Sequence, residues 1–343
     1  MGRLLSCGLL ASAVLCCVQT YCAGRSVPGP VMGSPPSPVR PGWHLVWHDE
    51  FDKAIGPDWT YDIGTGKGGW GNDERQFYTA RPENARVENG VLLIEARRER
   101  YSSSMYTSAR LKTEGRAAFT YGRIEALIQV PRGEGLWPAF WALGDDIRVA
   151  GWPRCGEIDV MENIGREPGR VHATVHGPGY SDGQGVGGSF DLPSRAFGDA
   201  FHLFAVEWDA SSLRFSVDDT LYKSITPADV PGTWVFSHPF FLLVNLAVGG
   251  RWPGDPNADT TFPARMKVDF VRVYDRSAVE TEDAATPFLM LPRPIHRAVE
   301  PDQPSSCSRQ LTGSVSPGHP PVARKAFTPR SALKSGRSAS PAH

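Results

Sequence analysis

The sequence predicts an all-β sandwich or barrel, on three observations. Between Trp43 and Tyr274 short apolar runs recur with a period-two rhythm, each run is bounded by Gly, Pro, Asn or Asp, and no long stretch follows the helical 3.6 spacing. Such runs suit antiparallel sheets, whereas a parallel sheet needs covering helices that this text does not supply. The runs Val91 to Ile94, Gly122 to Ala126, Phe204 to Trp208, Leu213 to Val217 and Val268 to Tyr274 are the expected strands. A chain of 343 residues suffices for one such domain of about 200 to 250 residues with extensions.

The extensions differ in composition from this centre. Leu4 to Val18 is an apolar run behind Arg3, the pattern of a secretory signal and too short to span a bilayer, so residues 1–23 are expected to be a signal peptide. Residues 24–41 carry Pro28, Pro30, Pro35, Pro36, Pro38 and Pro41, which favour an extended linker. The folded domain is expected over 42–276. Residues 277–343 turn to Pro, Ser, Ala and Arg, with no acid beyond Asp302, and are expected to be a disordered basic tail. Four of the six Cys fall in the signal, leaving Cys155 and Cys307, so stability must come from a core rather than from disulfides.

A formal net charge of -1 provides no field to draw nucleic acid or an anionic membrane. A neutral partner suits it better, and 10 Trp, 9 Tyr and 16 Phe can supply aromatic binding surfaces. Gly64-x-Gly66-x-x-Gly69 has the spacing of a dinucleotide fingerprint but lacks the strand-then-helix setting, so it carries no nucleotide-binding expectation. No His or Cys set has catalytic zinc spacing.

The chemistry concentrates in Gly156-Glu157-Ile158-Asp159-Val160-Met161-Glu162-Asn163, three carboxylates inside an apolar strand-like run. Period two puts Glu157 and Asp159 on one face and, in an unbroken strand, Glu162 on the other. A β-bulge at Val160-Met161 adds the residue that restores phase. Four effective steps of about 3.3 Å then separate the two Glu Cα atoms by roughly 13 Å, which inward-leaning side chains can narrow toward the ~5 to 5.5 Å of retaining glycosidases. Repulsion among the acids would keep one of them protonated.

These residues resemble glycoside hydrolase family 16, whose laminarinase-like members carry a bulged E-x-D-x-x-E motif. The likeness extends through Trp47 to Asp52, Gly69 to Glu74, Ser108 to Leu111, Leu136 to Trp141, His172 to Gly177 and Asn245 to Gly250. It implies a β-sandwich of the jelly-roll type, two antiparallel sheets with a concave substrate cleft. It implies Glu157 as nucleophile, Asp159 as its assistant and Glu162 as general acid/base. Asn72, Arg110, Trp137, Trp141, His176 and Trp252 match cleft residues that touch sugar, and Asp73 stands where such relatives often have a second Asn. Many family members hold a structural Ca²⁺, here expected at Glu50, Gly90 and Asp269, with no cofactor needed for catalysis.

The reading that results is a secreted, monomeric, retaining endo-glucanase acting on β-1,3-glucan. The alternatives are a non-catalytic β-glucan-recognition protein on the same fold, and a hydrolase or transglycosylase of mixed-linkage glucan or galactan. Retained acids speak against the first, and the bulge and the Trp70-Gly71-Asn72 segment speak against the second.

Overall fold

A computed structural model describes residues 36–276. The signal peptide, most of the linker and the tail lie outside the described residues. Two sheets pack face to face, with ten strands in one and eight in the other. All their pairings are antiparallel except Gln76–Tyr78 beside Ser104–Ser108. Regular helix among the described residues is limited to the turn Ile147–Ala150 and the 3-10 turn Asp182–Gln184, besides the π-type segment Gly69–Asp73, whose Trp70 and Gly71 are left-handed.

The predicted strands are present and longer than their apolar runs, because polar residues carry the pairing past the core. Val91–Tyr101, Gly122–Gln129, His202–Trp208, Leu213–Val217 and Ala264–Arg276 form most of the ten-stranded sheet. The site rests on the other sheet, whose central strands run in the order Arg170–His176, Glu157–Glu162, Leu136–Gly144 and Phe240–Val248. Phe240–Val248 is buried at all nine positions, since one face meets the core and the other the floor of the cleft. Leu92, Ile94, Ile124, Ile128, Phe140, Phe204, Phe215, Leu242, Val244 and Val271 are among the side chains that fill the space between the sheets.

Described residues ahead of 42 also take part in the fold. Arg40 Nε lies 2.7 Å from Glu125 Oε2 and its Nη1 donates to Asp219 at 3.2 Å, while Arg272 donates to the carbonyl of Pro36 at 2.8 Å. Glu125 is fully buried and also accepts from Arg123 at 2.8 Å and Tyr274 at 3.1 Å. A buried carboxylate needs such partners, and one of them comes from the Pro-rich segment that composition alone assigns to a linker.

Candidate active site

The strand Glu157–Glu162 lies between Leu136–Gly144 and Arg170–His176, and its register shows one inserted residue. On one side Glu157 faces His176, Asp159 faces Thr174 and Glu162 faces His172. On the other, Trp141 faces Asp159 and Phe140 faces Met161, so Val160 is the unpaired residue of the expected bulge. His172, Thr174 and His176 alternate along their strand and share a face, and the bulge gives all three acids that same face. Gly156 precedes them with φ +75, and a Cβ there would come 2.9 Å from Phe240 and Val235, so the entry to this strand requires glycine.

Each acid has its own neighbour. Trp152 Nε1 donates to Glu157 Oε2 at 2.8 Å, and Trp137 Nε1 donates to Glu162 Oε1 at 3.0 Å. His176 Nε2 lies 3.3 Å from Asp159 Oδ2 and 4.0 Å from Glu157 Oε1. Asp159 and Glu162 are buried, and Glu157 is half-buried.

Burial raises all three acids, and the charges of neighbouring carboxylates add to this at Glu157 and Glu162. Glu157 is pushed up to about 8 by burial and by the charge of Asp159, against the opposing pull of His176 and the Trp152 indole. Asp159 is raised by burial to about 8, against the contact with Glu157 that favours its charged form. Burial and the charges of Asp159 and Glu157 hold Glu162 well above the usual carboxylate range. Burial thus keeps a proton within the cluster, while His176 and one indole each, Trp152 for Glu157 and Trp137 for Glu162, favour the charged forms.

The residues expected to touch sugar fall into two groups. Trp137 stands beside Glu162, Trp252 meets it edge-on with ring centroids 5.4 Å apart, and His172 lies 5.1 Å from Trp252 on the other side. His176 stands directly against Asp159 and Glu157. The second group is Trp141, Arg110 and Asn72. Trp141 and Trp137 share a face, as expected, and Trp141 Nε1 donates to Asn245 Oδ1 at 2.7 Å. Arg110 is buried, donates to Asp62 at 2.7 Å and stacks on the Trp70 ring at 3.9 Å. Asn72 is exposed on the Gly69–Asp73 turn, where Arg251 ties two loops together through its backbone N–H to Asn72 O at 2.9 Å and its side chain to Asp73 at 3.0 Å.

Two residues of the site escape a sequence reading. Trp152 sits in the turn ahead of the acid strand, 40% exposed, and its only sequence signal is an aromatic in a Gly- and Pro-rich turn five residues before Glu157. Glu74 accepts from Gln76 at 2.6 Å, Tyr78 at 3.3 Å and Asn72 at 3.4 Å, and burial raises it. It braces the turn that carries Asn72. Its signal is an acid among Gln and Tyr at period two.

Of the expected calcium ligands, Glu50 and Asp269 are close enough for the charge of one to act on the other. Glu50 follows the strand Trp43–Asp49, Asp269 lies where pairing slips between Val268 and Phe270, and Gly90 is in the turn ahead of Val91. Arg272 holds both Glu50 oxygens, at 2.8 and 2.7 Å. Asp269 is raised by burial and by the charges of Glu50 and Asp52, and carboxylate oxygens are the donors a hard cation takes.

A sheet-lined cleft with paired acids on one bulged strand, flanked by indoles, defines a glycosidase of the two-carboxylate type. The family model for glycosyl hydrolases family 16 matches residues 72–272, and the chain belongs to that family. It is 47% identical over 259 residues to a beta-glucanase of Rhodothermus marinus, covering 71% of this chain and 89% of that protein. It is 35% identical over 269 residues to the glucan endo-1,3-beta-glucosidase A1 of Niallia circulans, covering 71% of this chain and 39% of that protein. The solved endo-beta-1,3-glucanase of Pyrococcus furiosus superposes with a TM-score of 0.67 at 46% identity, covering 69% of this chain and 95% of that one.

Proposed function

We propose that the chain cuts β-1,3-glucan internally with retention at the anomeric carbon. The observation that carries this reading is the Val160 bulge, which gives Glu157, Asp159 and Glu162 one face. Glu157 attacks the anomeric carbon as the bond to the leaving oxygen breaks, and Glu162 gives that oxygen its proton. Water then replaces Glu157 on the same carbon, returning a proton to Glu162. Asp159 shares its proton and charge with Glu157 and so tunes when Glu157 is ionised. Trp137, Trp141 and Trp252 offer ring faces for sugars, and Asn72, Arg110 and His176 offer polar contacts.

The beta-glucanase and laminarinase names of the relatives support the substrate. The chain works as a monomer and is secreted, the latter on the strength of the signal-like run at Leu4 to Val18, and a Ca²⁺ ion at Glu50, Gly90 and Asp269 adds stability without entering the reaction. No helix among the described residues is long and apolar enough to cross a membrane.

Reducing ends released from laminarin, curdlan, lichenan and agarose test the reading. Fast release from the first two, abolished by Glu157→Ala, is expected, and cleavage of agarose alone would overturn the substrate.

A further inference from the structure

The acids and the histidine of the cleft also have the makings of a metal-ion site. One donor atom each from Glu157, Asp159 and His176 lies within 4.8 Å of the other two, the only such group among the described residues. Asp159 is 3% exposed, and its Oδ2 is a buried oxygen with no hydrogen-bond partner, pointed at His176 Nε2 across 3.3 Å. Glu157 Oε2 is occupied by the Trp152 indole, which leaves Oε1 facing His176 Nε2 at 4.0 Å.

A transition-metal ion with bonds of about 2.1 Å holds neighbouring donor atoms roughly 3.0 to 3.4 Å apart. The Asp159–His176 pair already has that spacing, and a small rotation of the half-buried Glu157 closes the rest. Two carboxylates and an imidazole suit copper or zinc better than calcium, which takes oxygen almost alone. Gly185 packs on the far side of the ring, where a Cβ would come 2.4 Å from His176 Cε1 and 2.8 Å from Nδ1. That contact fixes the imidazole with Nε2 toward the acids.

We propose that Glu157, Asp159 and His176 bind one divalent ion of the copper or zinc class, and that the bound ion inhibits the enzyme reversibly by occupying the nucleophile. Metal and sugar then compete for the same carboxylate. This site belongs to the proposed active centre, but its test does not depend on which glucan is cleaved.

The experiment titrates CuCl2 into the full chain, reading heat of binding and the electron paramagnetic resonance spectrum, with Asp159→Asn, His176→Ala and His172→Ala in parallel and folding checked by thermal melts. One Cu²⁺ showing nitrogen coupling is expected in the cleft, with its Kd raised at least tenfold in Asp159→Asn and His176→Ala. His172→Ala, on the same strand, should stay within twofold. A laminarin oligosaccharide should displace the ion, and chelator should restore activity. Unchanged affinity in the folded Asp159→Asn and His176→Ala variants would overturn the site, and an ion that the oligosaccharide does not displace while it is being cleaved would overturn the competition. Inactivity of the wild type on every glucan, with binding intact, would overturn the proposed substrate and leave the metal site standing.

Discussion

Trp152 and Glu157 are joined by an indole N–H that donates to Oε2 at 2.8 Å, and this bond stabilises the charged form of the carboxylate. As the proposed nucleophile Glu157 must be ionised to attack, so the contact would act on reactivity as well as on position.

Trp152→Phe keeps a ring and removes the donor. Loss of one hydrogen bond to a charged group is worth about 1.5 to 3 kcal/mol, so kcat/KM should fall roughly ten- to a hundredfold. The acidic limb of the kcat/KM profile should move to higher pH, because Glu157 then ionises less readily. An unmoved limb would show that the indole serves binding only.

The raised acids imply that the site costs stability at neutral pH. Folding lifts Glu157 from its ordinary value near 4.5 to about 8, so over that window the folded state holds a proton that the unfolded state has lost. Stability therefore falls as pH rises from about 4.5 to 8. Glu157→Gln cannot ionise and keeps an oxygen for Trp152. Its Tm should exceed that of the wild type by a few degrees at pH 8 and match it at pH 4, as read by calorimetry.

Arg40 and Glu125 give a prediction for the segment ahead of the domain. Arg40→Ala removes one of three cationic or hydroxyl partners of a fully buried carboxylate, with the other two left in place. A loss of about 1 to 3 kcal/mol in urea unfolding is expected, with activity at low temperature unchanged. Equal stability of the variant would mean that Arg123 and Tyr274 suffice.

A thermal melt in Ca²⁺ and then in chelator examines Glu50, Gly90 and Asp269. Calcium should raise the Tm of the wild type and not that of Asp269→Ala, and should leave kcat alone. A change in kcat with no change in Tm would contradict a purely structural ion.

What the sequence made legible, and what it hid, follows from how far each signal reaches. Glu157, Asp159 and Glu162 stand out because carboxylates rarely interrupt an apolar strand, and parity alone demanded a bulge near Val160. Strands with one polar face were visible by alternation. Phe240–Val248 shows no alternation because both its faces are buried. Trp152, Glu74 and the stacking of Arg110 on Trp70 were hidden because they depend on turns whose left-handed residues aim side chains in ways no periodicity encodes. Arg40 was hidden for the opposite reason, since its proline neighbours suggest a linker while its partner Glu125 is 85 positions away in sequence.

Deleting Val160 probes the bulge that unites the acids. An unbroken strand would turn Glu162 to the core face, so activity should drop at least a thousandfold by loss of acid catalysis and burial of a carboxylate there should lower Tm. Retained activity would mean that Glu162 is not the proton donor.

The most direct test of the central claim is the anomeric form of the first product, followed by proton NMR in the seconds after enzyme meets a β-1,3-glucan oligosaccharide. Attack by Glu157 followed by water on the same carbon predicts the β-anomer first, with the α-anomer appearing only as the product mutarotates. An α-anomer at the earliest time would contradict the account, because it would mean that water, and not Glu157, displaces the leaving group.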